Sequence, residues 1–132
     1  MSPIKTLSGV PQDWINRAKG DLALARVPLP EEGYFEDLCL HAQQAAEKAI
    51  KAIFCHRGYR FSYTHDLEIL LTELKNKGEE IPDKIFLATH LTPFAGEMRY
   101  PFMGDPITQE EYQEILQHAE AVVAWAKAIV LP

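Results

Sequence analysis

From Tyr34 to Arg57 the chain runs without a glycine or a proline, and its alanines gather on one side of any helix built from it. At 100° per residue, Ala42, Ala45, Ala46, Ala49, Ile50 and Ile53 share a face, which Phe35 and Leu38 extend towards the N-terminus. Small side chains let neighbouring helices approach closely. The segment is therefore expected as the central helix of a bundle, closed by Gly58 in the position past the last turn that favours glycine. The opposite stripe carries Asp37, His41, Gln44, Lys48, Lys51 and Cys55.

The rest of the sequence supplies helices to pack against it, and no segment alternates with the period of a strand. Pro11 suits a first turn, and Trp14, Ala18, Leu22 and Ala25 follow at helical spacing, predicting a helix over about 11–27 that Pro28 stops. Thr64 is expected to cap a third helix, with Asp66 near its positive end and Leu67, Leu70, Leu71 and Leu74 as its buried stripe. Pro82 is expected to open a fourth helix with Ile85, Ala88 and Leu91 inward, and Pro93 to close it. Residues 94–107 read as loop, punctuated by Gly96, Pro101, Gly104 and Pro106. Thr108 and Glu111 then form a capping-box pattern for a fifth helix. That helix buries Tyr112, Ile115, Leu116, Ala119, Val122, Val123, Ala126 and Ile129–Val130. The expected fold class is all-α: one domain over 1–132, with a core at about 11–130, folded as an antiparallel up-and-down bundle of four to five helices.

With 132 residues the chain has room for one domain. Its 47% apolar and 24% charged content excludes a disordered or low-complexity polymer. The net charge of −6 argues against duplex DNA or a membrane surface as the partner. That charge is unevenly spread. Residues 1–60 hold 8 basic and 7 acidic groups, residues 61–132 only 5 basic and 12 acidic, so an anion site is expected in the first half or beside an isolated later arginine. Cys39 and Cys55 lie 16 residues apart on the second helix, about 24 Å along its axis. A disulfide tolerates roughly 4.4–6.8 Å, so two free thiols are expected. With no apolar leader after Met1, these features suggest a reducing, cytoplasmic setting.

Several pieces fall in a telling order: Trp14, Ala18, Asp21-Leu22 and Ala25, then Gln43-Gln44-Ala45-Ala46-Glu47-Lys48-Ala49-Ile50-Lys51-Ala52, then Gly58, His65-x-Leu67 and Arg99-Tyr100-Pro101. Together they resemble the HEPN domain family, over residues about 11–130. The resemblance implies a helical bundle, commonly homodimeric. Many prokaryotic members pair with a minimal nucleotidyltransferase, some as toxin–antitoxin systems. It also implies nucleotide binding in the family at large and ribonuclease activity in several branches. The ribonuclease signature is an arginine followed four to six residues later by a histidine, at the start of a late helix.

Arg99 is followed by Tyr100-Pro101-Phe102-Met103-Gly104-Asp105-Pro106, with no histidine to act as general base. Arg60 and His65 fit the spacing but lie in the earlier loop, and are kept as the alternative catalytic pair. The expected function is thus a non-catalytic, homodimeric module that pairs with a nucleotidyltransferase and binds a nucleotide or RNA phosphate. Gln44, Lys48 and Lys51, at i, i+4 and i+7, would converge on the anion. Arg99 would add a bidentate fork and Tyr100 a stacking surface. A plain solvated face, with Glu47 or Asp37 paired to the lysines, is the competing reading, and a purely structural interaction domain is the other. No metal site or cofactor is expected, because the five histidines show no ligand spacing.

Overall fold

A computed structural model describes residues 10–94 and 106–132. Among the described residues there are five α-helices and one 3-10 helix: α1 Pro11–Ala25, α2 Phe35–Arg57, α3 Leu67–Asn76, α4 Asp83–Phe86, a 3-10 helix Leu87–Phe94, and α5 Gln109–Val130. Helix α2 is the hub. Ala42, Ala45, Ala46, Ala49, Ala52, Ile50 and Ile53 have no solvent exposure, and α1, α3, the 3-10 helix and α5 all pack on it.

Helix α1 lies antiparallel to α2. Trp14 at its start meets Phe61 just beyond the end of α2, whereas Leu24 and Leu38 line one groove at the opposite end. The buried stripe of α1 is Ile15, Ala18, Leu22 and Ala25. Ile15 takes the inward position expected of Trp14, whose indole sits half-buried at the margin, edge-on to Phe61 at 6.3 Å. Helix α5 starts beside the start of α2. There Tyr112 stacks on Phe35 with centroids 4.9 Å apart, and its hydroxyl donates to the Ala25 carbonyl at 2.5 Å. That tie satisfies one of the carbonyls left over at the end of α1.

Gly58 closes α2 in the left-handed conformation, φ 75°, which an L side chain adopts only under strain. Thr108 and Glu111 form the expected capping box. Helix α3 differs at its start. Asp66, not Thr64, is the N-cap, accepting from the amides of Glu68 and Ile69, while Thr64 accepts from the Asp66 amide one step earlier. A carboxylate facing two free amides at a helix's positive end prevails over a hydroxyl.

The fourth helix is α-helical for one turn and then tightens. Ile85, Ala88 and Leu91 are buried as expected, but their strict spacing of three matches 3.0 residues per turn better than 3.6. A 3-10 helix stacks such positions in a single row, so the apolar ridge continues unbroken from α4 through Leu91.

Candidate functional site

The polar stripe of α2 is not an open row of charges. It is tied down by α1 on one side and by the loop before α3 on the other. From α1, Asp21 accepts from Lys48 Nζ at 2.6 Å through one oxygen, and its other oxygen lies 3.3 Å from His41 Nδ1. Six residues after His41, Glu47 repeats the pattern from α2 itself. It accepts from Lys51 Nζ at 2.8 Å, and both its oxygens approach His65 Nδ1, at 3.0 and 3.1 Å. Two carboxylates are thus each shared by a lysine and a histidine.

The reason lies in the surroundings. Glu47 is almost completely buried, and a carboxylate out of water must be surrounded by donors to stay charged. Gln43, one turn earlier and fully buried, adds a third. Its amide nitrogen donates to Glu47 at 3.3 Å and to the backbone carbonyl of His65 at 3.2 Å. With two acceptors facing that end, the nitrogen must be there and the amide oxygen is left without a protein partner. Lys51 is further held with its ammonium 5.0 Å from the centre of the Phe61 ring, and Phe61 in turn meets Phe54 edge-on.

His65 differs from the other members. Its side chain is 64% exposed although its Nδ1 is held by a buried carboxylate. With Nδ1 committed, Nε2 is the nitrogen turned towards solvent, the arrangement by which a carboxylate fixes an imidazole's tautomer and direction. No sequence pattern announced the pair, because Glu47 and His65 are 18 residues apart and come together only when the loop after Gly58 folds back along α2.

The sequence-derived candidates divide accordingly. Lys48 and Lys51 are partly buried in one polar surface, with Gln44 one turn before Lys48 on the same stripe. The partner of Lys48 is Asp21 rather than Asp37, while Lys51 has the expected Glu47. Arg99 and Tyr100 lie outside the described residues. Arg60 is exposed and borders an open groove of about 470 Å³ with Ser62, Glu73, Asn76 and Lys77. Among the described residues no hydrogen bond or ion pair joins Arg60 to His65, and no cluster of three metal-ligating side chains occurs.

The two thiols are unpaired, as expected. Burial, reinforced by Glu36 and Glu111, pushes the Cys39 thiol up to about 12, and burial also raises that of Cys55. A thiol held neutral is a poor nucleophile, which removes Cys39 from the chemistry.

Comparison with known proteins adds a frame to this geometry. The HEPN domain family matches residues 11–129. Among solved structures, an archaeal HEPN homologue, ST0689, superposes with a TM-score of 0.73 at 28% identity, covering 92% of this chain and 98% of its own. TT1696 from Thermus thermophilus gives 0.76 at 28% identity, over 89% and 96%. A protein of Methanocaldococcus jannaschii named "Putative toxin MJ1304" is 28% identical over 126 residues, 83% of this chain and 81% of that one.

Proposed function

The chain belongs to the HEPN domain family, and from that premise we propose that the face built on Asp21, His41, Lys48, Glu47, Lys51 and His65 binds the phosphate of a nucleotide or an RNA. The observation that carries this reading is the surplus of donors. Four basic side chains share two carboxylates. The Lys48 ammonium, on a side chain 29% exposed, spends one of its three N–H bonds on Asp21 and keeps two for an incoming oxygen. Gln44, one turn before Lys48, adds an amide to the same stripe, and Arg99 and Tyr100 are the further contacts proposed from sequence. In this reading the protein is a non-catalytic homodimeric module whose partner is a minimal nucleotidyltransferase. No helix of the described residues is long and apolar enough to cross a membrane.

Titration calorimetry with ATP, GTP, AMP and a short single-stranded RNA tests it. Saturable heat that falls at least about tenfold in affinity in Lys48→Ala is the expected result. No heat with any of the four, with or without the nucleotidyltransferase, overturns it. Sedimentation at micromolar concentration reads the dimer, and co-purification reads the partner.

A second reading has its own support in the orientation of His65 and in the name of the Methanocaldococcus relative. In a ribonuclease toxin, Nε2 of His65 would accept the 2′-hydroxyl proton while Glu47 steadies the ring through Nδ1, Arg60 being the arginine that the sequence pairs with it. RNA cleavage lost in His65→Ala would select this reading over the first.

A further inference from the structure

At the other end of the α1–α2 hairpin lies a largely apolar groove that meets the polar network only at His41. Leu24 and Val27 from the end of α1, Leu29 and Pro30 from the linker, and Tyr34 and Leu38 from the start of α2 enclose about 240 Å³. Among the described residues nothing covers Leu24, Val27 and Tyr34, which leave a contiguous apolar patch exposed there at a free-energy cost. The groove is held open by the linker's own packing. Gly33 donates its amide to the Pro30 carbonyl at 2.9 Å, and a methyl group on Gly33 would come within 3.1 Å of the Pro30 ring and 3.2 Å of Leu29. A side chain there requires the linker to give by a few tenths of an ångström.

The rim is acidic. Asp37 lines it, Glu31 and Glu32 are exposed on the Pro30–Gly33 turn beside it, and none of the three makes an ion pair among the described residues. Nearby, Arg26 is already bound to Glu120 at 2.9 Å, and the His41 ring lies against Asp21. The patch therefore pairs an apolar floor with an unbalanced negative border. A second copy fits it poorly, because a two-fold contact places the same surface on itself and would set these carboxylates against their own images.

We propose that this groove docks a basic segment of another protein: an apolar anchor side chain seated on Leu24, Leu29 and Leu38, flanked by lysines or arginines that meet Glu31, Glu32 and Asp37. Charge complementarity of this kind fixes the choice of partner and speeds encounter, while the anchor supplies the burial. The proposal shares only His41 with the polar face and does not draw on what that face binds.

The probe is a pair of fluorescein-labelled synthetic peptides sharing a Leu-Leu-Phe anchor, one flanked by lysines and the other by glutamates, followed by fluorescence anisotropy with the full chain. The lysine peptide is expected to bind saturably and at least about tenfold tighter than the glutamate peptide. Affinity should drop several-fold in Leu24→Asp, in the double substitution Glu31→Lys with Glu32→Lys, and on raising salt. Leu24 is exposed, so the fold of its variant should survive, checked by circular dichroism. Equal binding of the two peptides, absence of binding, or indifference to Leu24→Asp overturns the proposal. So does a change in sedimentation caused by Leu24→Asp, which would mean that a second copy covers the groove.

Discussion

The ion pairs Lys51–Glu47 and Arg26–Glu120 have almost the same length, 2.8 and 2.9 Å, yet they sit in opposite settings. The first has side chains 11% and 7% exposed, the second 51% and 38%. Around Glu47, three further contacts from Gln43 and His65 complete the coordination of a carboxylate that water barely reaches. Around Glu120, solvent does most of that work, and salt screens the rest. Distance alone says nothing about what a bridge is worth; the medium around it decides. The polar centre of this bundle is one whose parts must all be present together, whereas its outer edge is built of separable contacts.

Removing the carboxylate is the harshest way to test that contrast. Glu47→Ala leaves Lys51 and Gln43 facing an emptied site and should cost about 3–5 kcal/mol, measured by urea unfolding. A loss below about 1 kcal/mol would place Glu47 with the exposed pairs. Next comes overfilling of the opposite face of α2. Ala46→Leu forces three carbons into a site with no exposure and should cost about 1–3 kcal/mol, more if α1 cannot shift. Asp66→Ala removes the cap of α3 and should cost about 1 kcal/mol, read as a lower melting temperature. It should also loosen the loop bearing His65, sharpening the question of whether that imidazole is held from α2 or from α3. The smallest effect belongs to the edge: Arg26→Ala should change stability by no more than about 0.5 kcal/mol, vanishing at high salt.

The alkaline side gives an independent check. Because the folded chain raises the Cys39 thiol to about 12, above the unfolded value, folding favours its protonated form. The stabilisation is full below the unfolded value of about 8.5. It is lost as pH climbs through that value towards the folded one, where the unfolded chain has released the proton and the folded chain has not. Thermal melts from neutral to strongly alkaline pH should fall less steeply in Cys39→Ala than in the parent.

What could be read beforehand follows the range of the interactions. The alanine face of α2, the leucine stripe of α3 and the Thr108–Glu111 box depend on residues within a turn or two, and their spacing alone reveals them. The 3-10 row of Ile85, Ala88 and Leu91 was also written in the spacing, but in a period easily taken for an α-helix. The polar centre was legible only as a list of charges. That Lys48 meets Asp21, or Glu47 meets His65, depends on how α1 and the loop lie against α2, and contacts 27 and 18 residues apart leave no local period.

The amide of Gln43 has one more consequence. By grasping the main chain at His65 rather than its side chain, it measures out the stretch from Gly58 without regard to which residues fill it. Because the clamp grips a carbonyl, which every residue carries, the length of the stretch bears on which side chain stands over Glu47, and not its letters alone. Inserted or deleted positions there rewrite the identity of the site as thoroughly as a point substitution, without altering one letter of the helix beneath.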